Sequence, residues 1–403
     1  MLKLALRNIL RHKLRTAMTL AAIMFGVVGL ILSGGFVADI LFQLGETTIH
    51  SQSGHLQVYK TGFFTQGSRA PDKYLIDKPD VVTGLLQEFP EIEDRMARLN
   101  FSGLLNNGRT DLSIVGEGVE PDKETKLGSH MKIAEGRQLA QQHAYEILVG
   151  HGVAMVLKLT PGDRVTLLLT TSDGAMNSLE FEVVGIFETS SKEFDARAVR
   201  IPLHAAQELM NTQGINGIVV SLRQTADTER VADVLASRLD GNKYEVKTWK
   251  QLNDFYQKAV DLYERQFGVL RLIVLIMVFL SVANMVNMSV FERTGEFGTL
   301  MALGDTRTRI FQLVLIENVL LGTIGATLGT AFGVLCAILV SAVGISMPPP
   351  PNANIGYTAV VLIIPSVLAT AFAVGLVATI SAALFPAIRV ARTPVDVALR
   401  QNY

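Results

Sequence analysis

Four long apolar runs constrain this chain more than any other feature. Ala17–Leu32 is followed by Ser33-Gly34-Gly35 and resumes through Phe36–Leu44, with only Asp39 and Gln43 against it. Phe267–Phe291 is apolar but for Arg271, Ser281, Asn284, Asn287 and Ser289. A third run begins at Ile310, broken by Gln312, Glu317 and Asn318, and a fourth covers about 358–385. Each reaches the roughly 20 residues that a membrane-crossing helix needs. The first, at about 28 residues, is too long for a cleaved signal sequence, although Ser33-Gly34-Gly35 would loosely suit a peptidase. Residues 46–264 contain no such run. A chain that is 49% hydrophobic and only 18% charged fits this mixture of spans and one sizeable aqueous domain. The expected fold class is therefore membrane α-helical, with four transmembrane helices and a large α+β domain outside the membrane.

Charge sets the expected topology. Residues 1–16 carry Lys3, Arg7, Arg11, Lys13 and Arg15, and the tail carries Arg389, Arg392 and Arg400. Residues 292–309 carry Arg293, Arg307 and Arg309, whereas the connector Met347–Asn352 has four prolines and no charge. The excess of Lys and Arg assigns both termini and 292–309 to the cytoplasm, and 46–264 to the other side. Residues 1–16 read as an amphipathic helix. Leu2, Leu6, Ile9, Leu10 and Leu14 share one face, and the basic stripe suits anionic headgroups. Net charge is −1, so nothing favours nucleic acid. The single cysteine, Cys336, lies in an apolar run, which excludes an intramolecular disulfide. The outer domain, at about 220 residues, is long enough to hold together by its core.

Within that domain, Leu56–Tyr59, Leu112–Val115, Glu146–Val149, Val165–Leu169, Phe181–Phe187, Gly217–Leu222 and Tyr244–Val246 read as strands. Val81–Phe89, Val153–Leu159, a segment from Pro202 through Met210, and Glu229–Leu239 read as helices. Pro161-Gly162-Asp163 is a turn, and 165–169 pairs with 181–187.

Chemistry for catalysis is not apparent. No G-x-x-x-x-G-K-[ST], H-E-x-x-H, C-x-x-C or G-x-S-x-G occurs, and the seven histidines show no metal-ligand spacing. No catalytic, cofactor or metal residues are expected. Attention passes to Glu292–Gly304, a short polar-to-amphipathic stretch between two spans. It has room for a turn, one short helix and another turn, and suits docking onto a partner. Glu317, near the start of the third span, is costly to bury alone, so pairing with Arg293, Arg307 or Arg309 is expected. Gly325, Gly329 and Gly333 recur at i, i+4 on the same span and suit close helix packing. Asn284 and Asn287 share one face of the second span. Asp39 sits toward the far end of the first, where a solvated helix end is the expected reading.

Glu292-Arg293, Glu296, Gly298, Leu300, Ala302-Leu303-Gly304, Ile310 and Glu317 resemble the cytoplasmic coupling segment of the FtsX/MacB/LolC–LolE class of ABC transporter permeases. Pro386-Ala387, Ala391, Pro394 and Ala398-Leu399-Arg400 resemble the closing signature of the same class. Ser53–Val58, Glu135-Gly136-Arg137, Pro161–Val165, Val183–Phe187 and Ile201-Pro202-Leu203 resemble its MacB-like periplasmic domain. Gly185-Ile186-Phe187 with Phe194-Asp195 leans toward the lipoprotein-release (LolC/LolE) branch.

The resemblance implies an elbow helix (1–16), transmembrane helix 1 (17–45), a periplasmic domain (46–254) and a stalk with transmembrane helix 2 (255–291). The coupling segment (292–309), transmembrane helix 3 (310–343), a periplasmic Pro-rich loop (344–357), transmembrane helix 4 (358–386) and a cytoplasmic tail (387–403) follow. It implies a bacterial inner-membrane permease that binds no cofactor itself. A separate ABC ATPase dimer would hold ATP and Mg, and a second permease copy or paralogue would complete the transporter. The membrane helices would act as levers, by mechanotransmission. Lipoproteins or related amphiphiles are the implied cargo, with a periplasmic carrier or adaptor as further partner. Asn284 and Asn287 would face a cargo cavity or a helix contact. MacB carries a fused N-terminal ATPase, which is not expected here because the chain begins at the elbow helix. A MacB-like exporter of peptides or antibiotics and an FtsX-like signalling module remain alternatives.

Overall fold

The computed structural model describes residues 5, 7, 8, 11, 13–67, 71–127, 131–171, 174–189, 191–348 and 356–395. Leu2, Lys3, Leu6, Ile9 and Leu10 of the amphipathic segment lie outside these residues. So do Pro349–Pro351 of the connector and Ala398-Leu399-Arg400 of the closing signature. The chain divides into two units. One comprises 1–42, 259–346 and 358–403; the other comprises 43–258 and 347–357.

The first unit is a helical bundle. Among the described residues, four helices are long and apolar enough to cross a membrane. They are α1 (Lys13–Thr48), α9 (Asp254–Glu292), α11 (Arg307–Val343) and α12 (Pro365–Arg392), with the short α10 (Thr294–Ala302) between α9 and α11. Small and β-branched residues make up much of the face that each buries. On α9 the stripe is Val274, Val278, Val282 and Val286, at i, i+4 spacing. Large side chains such as Ile273, Met277 and Leu280 point away from the bundle.

The glycine row of α11 meets α1 in register. Cβ atoms at Gly325, Gly329 and Gly333 would sit 3.1, 2.9 and 2.8 Å from Ile23, Val27 and Ile31. Rising numbers meet rising numbers, so the two helices run parallel. Gly322 faces Thr379, and Gly375 faces Ala326, so α12 runs antiparallel to α11. Glycines at consecutive turns let the backbones approach more closely than any side chain would permit.

The fourth helix differs from the expected 358–386. Residues 357–359 are a strand, and the helix starts at Pro365 and continues through Pro386 to Arg392. Proline at the first helical turn forfeits no internal bond, which explains the start. Pro386 is buried within the bundle, a setting that tolerates a missing helix bond. Asp39 also departs from expectation. It is 1% exposed and accepts a hydrogen bond from Val360 N–H at 2.9 Å, so it pins the extended lead-in to α12. Ser341 Oγ accepts from Val361 N–H at 3.0 Å, and Gly35 O from Leu362 N–H at 3.2 Å, on the same lead-in.

The second unit is α+β. Among the described residues its main sheet has ten strands: β1 (Leu56–Lys60), β2 (Ile92–Asn106), β3 (Asp111–Val119), β4 (Lys132–Gly136), β5 (Glu146–Gly150), β6 (Arg164–Thr170), β7 (Met176–Glu188), β8 (Ala198–Pro202), β9 (Gly217–Leu222) and β10 (Tyr244–Thr248). The order is β10-β1-β9-β2-β3-β8-β5-β7-β4, with β6 between β2 and β7. Strands β6 and β7 pair as expected, but residues 165–169 oppose 177–181 rather than 181–187: Val165 opposes Phe181 in an antiparallel hairpin whose last pair is Thr170 with Met176.

Strand β2 joins two halves. Residues 92–98 pair with β9, and residues 99–106 pair with β3. Helices α2 (Pro79–Leu86) and α7 (Thr228–Arg238) cover one half, burying Val82, Leu86, Val231 and Leu235 against Leu56, Val58 and Val220. Helices α4 (His151–Leu157) and α6 (Leu203–Met210) cover the other, over Phe101, Val149, Leu167 and Phe181.

Candidate coupling site

Helix α10 ends in a closed C-terminal turn. Gly304 N–H donates to Met301 O and Asp305 N–H to Leu300 O, with Gly304 at φ +104°. This double closure requires a left-handed residue just past the helix, which glycine supplies at little cost. The next helix starts at once, its N-terminus capped by the Thr306 side chain, which accepts from Arg309 N–H. Phe297 and Gly298 are buried against the bundle and Leu300 partly so. Glu296 and Ala302 are exposed, and Leu303 is 80% exposed at the tip.

Behind the helix lies a polar cluster with Glu317 at its centre. One carboxylate oxygen accepts from Arg293 Nη1 at 2.9 Å and the other from Asn8 Nδ2 at 2.6 Å. Arg293 also donates Nε to Glu296 at 3.2 Å and lies over the Phe297 ring, 4.9 Å from its centroid. Arg293 and Glu317 are both buried, so the pair is desolvated and each charge depends on the other. Of the three cations expected to meet Glu317, the structure brings Arg293 alone. Arg309 pairs with Asp305 at 3.0 Å, and Arg307 is exposed with no ion pair among the described residues.

Three contributors were not foreseen. Arg15 pairs with Glu292, Arg11 with Glu296 at 3.3 Å, and Asn8 with Glu317. The signal was present in the spacing: Arg11/Arg15 and Glu292/Glu296 are each four residues apart, although Glu292 ends α9 and Glu296 lies in α10. The stripe assigned to lipid headgroups is therefore partly taken up by the coupling segment. A cavity of about 50 Å3 lies among Asn8, Arg15, Ser289, Arg293, Glu317 and Asn318. Asn284 and Asn287 are both exposed on α9, with no hydrogen-bond partner for either among the described residues. Among the described residues they therefore do not join helices by hydrogen bonds.

The second unit holds two buried polar arrangements. Arg98, Glu117, Glu124 and Arg200 close a ring of ion pairs at 3.3, 3.1, 3.0 and 2.8 Å. Arg200 is fully buried and also donates to Ser51 O at 3.2 Å. Burial would raise the Glu117 carboxyl, but Arg98 and Arg200 hold it below the ordinary range. The second arrangement is a chain. His55 Nδ1 accepts from Leu222 N–H at 3.0 Å, His55 Nε2 meets Thr225 Oγ1 at 3.1 Å, and Thr225 donates to Glu46 at 2.7 Å. A backbone N–H can only donate, which fixes the neutral tautomer with its proton on Nε2. Burial, then His50, pushes His55 down to about 4 against an opposing pull from Glu46.

Residues 16–238 match the family described as MacB-like periplasmic core domain, and residues 268–395 match FtsX-like permease C-terminal. The chain belongs to this family, within the FtsX/MacB/LolC class of ABC transporter permeases. Among its relatives is the lipoprotein-releasing system transmembrane protein LolC of Xylella fastidiosa, 27% identical over 226 residues, covering 54% of each chain. LolC of Neisseria meningitidis is 24% identical over 338 residues, covering 80% of this chain and 76% of that protein. The macrolide export ATP-binding/permease protein MacB of Campylobacter jejuni is 24% identical over 371 residues, covering 87% of this chain and 55% of that protein. The chain thus spans about half the length of the Xylella and Campylobacter relatives it matches. The crystal structure of the periplasmic region of MacB from Actinobacillus actinomycetemcomitans aligns with TM-score 0.36 and 13% identity, over 50% of this chain and 92% of that one.

Proposed function

We propose that the chain is the permease subunit of an ATP-driven transporter in a bacterial inner membrane, with both termini in the cytoplasm. The observation that carries this reading is the closed helix α10, exposed at Leu303 and tied through Arg293 to Glu317 and Asn8. A short rigid helix anchored to three other segments transmits force rather than absorbing it. A separate ATPase dimer, holding ATP and Mg, engages Glu292–Gly304. Gly298 and Leu300 seat the helix, while Ala302, Leu303 and Gly304 form its tip. ATP-driven closure of the dimer moves α10, and the Arg293–Glu317 pair passes that movement to α9 and α11. The levers switch only if ATP favours one arrangement over the other. A second copy or a paralogue completes the transporter.

The relatives support two readings of the cargo. LolC supports the release of lipoproteins or similar amphiphiles, handed to a periplasmic carrier, with Asn284 and Asn287 facing the cargo path. The match to MacB, which extends over 87% of the chain, favours export of other amphiphiles through an adaptor as the second reading. Purification of the full chain in mild detergent, with mass spectrometry of its companions, separates the two. An ATPase with an acylated lipoprotein supports release; an ATPase with an adaptor and no lipoprotein supports export. Recovery of no ATPase overturns both.

A further inference from the structure

The last turns of α12 carry a surface of a different kind. Phe385, Ile388, Arg389 and Arg392 stand at i, i+3, i+4 and i+7, on one helical face. All four are exposed, Phe385 by 69% and Ile388 by 41%. The opposite face, with Ala383, Pro386, Ala387 and Val390, is buried in the bundle. Together with Thr393 and Pro394, the exposed four line an open groove of about 400 Å3. Arg11, Arg15, Arg293 and Arg309 all have carboxylate partners. Among the described residues Arg389 and Arg392 have none.

We propose that this groove binds one anionic phospholipid, its phosphate held between Arg389 and Arg392 and an acyl chain laid against Phe385 and Ile388. Two observations favour a lipid over a protein partner. The apolar half of the groove continues into exposed Leu384 and Val377 further along the span, at depths where acyl chains lie. The cationic half sits at the end of the same helix, where the headgroup layer begins. Two guanidiniums one turn apart suit the oxygens of a single phosphate. A zwitterionic lipid would bring its own cation against them. The inference needs α12 to span a bilayer and does not depend on the cargo or on the ATPase.

The test is native mass spectrometry of the full chain released from nanodiscs containing equal phosphatidylglycerol and phosphatidylcholine. The wild-type chain retains phosphatidylglycerol in preference. Each arginine near an anionic surface is worth about a factor of five, so R389Q/R392Q lowers that retention about twenty-five-fold. R389K/R392K, which keeps the charge and loses the fork, falls between. Arg307→Gln, at an exposed arginine elsewhere with no ion pair among the described residues, leaves retention unchanged. Equal retention in wild type and R389Q/R392Q overturns the proposal, as does an equal loss in Arg307→Gln. Loss of a co-purifying ATPase with phosphatidylglycerol unaffected assigns the surface to a protein and also overturns it. Should R389Q/R392Q fail to fold, the single variants and Phe385→Ala, each expected to lose about five-fold, decide the matter.

Discussion

Replacing Glu317 with alanine removes the acceptor of two hydrogen bonds at once. Arg293 loses its 2.9 Å partner and Asn8 its 2.6 Å partner. Breaking a buried ion pair from one side costs about 3–5 kcal/mol, because the remaining charge stays buried. Arg293 keeps Glu296 at 3.2 Å and the Phe297 ring, so the lower part of that range, about 3 kcal/mol, is expected. The assay is a double-mutant cycle on the full chain in detergent, using Glu317→Ala, Arg293→Met and both together. Removing the arginine as well relieves the stranded charge, so the double variant is more stable than the sum of the single effects requires, with a coupling of about 1–3 kcal/mol. In the assembled transporter, Glu317→Ala retains ATP hydrolysis and loses transport. Additivity within about 0.5 kcal/mol, or unchanged transport, would refute the reasoning.

Gly304→Ala, at φ +104°, destabilises the end of α10 by about 1 kcal/mol, seen as a lower melting temperature and weaker ATPase association. Gly329→Val meets Val27 and the Met24 backbone, prises α11 from α1 and costs about 1–3 kcal/mol by thermal unfolding in detergent. Arg200→Met leaves Glu117 and Glu124 with one guanidinium between them and costs about 3–5 kcal/mol, whereas the same change at exposed Arg164 costs under about 0.5 kcal/mol. His55, held at about 4 in the folded chain against an ordinary 6.5, takes up a proton on unfolding between those values. Stability therefore falls as pH drops from about 6.5 to 4, by up to about 3 kcal/mol from this group, and His55→Gln flattens that part of the profile.

The four spans were legible because lipid imposes one length on an apolar helix, and the short helix between the second and third because a polar stretch there interrupts two such runs. The glycine row was legible because i, i+4 spacing has few other uses in a span. The outer domain was legible where strands alternate or run apolar, as at 146–149 and 181–187. Strand β2 was not, since Ile92–Arg98 is crowded with charge. Arg98 is buried only because Glu117 and Glu124 are brought to it by the fold, a pairing that no local pattern encodes. Asp39 was misjudged for a related reason. Its partner, Val360 N–H, lies 321 residues away, and a backbone donor leaves no trace in composition. Glu317 was expected to find an arginine, yet three were eligible, and only the fold shows that Arg309 is taken by Asp305 and Arg307 is exposed, which leaves Arg293.

A photoreactive side chain placed at Leu303, the exposed tip of α10, tests the coupling directly. Irradiated in native membranes, it is expected to cross-link a P-loop ATPase in a manner that changes with ATP. The same group at Met277, exposed midway along α9, yields no such adduct. Failure of a folded chain to give any ATPase adduct from Leu303 would contradict the coupling role of Glu292–Gly304.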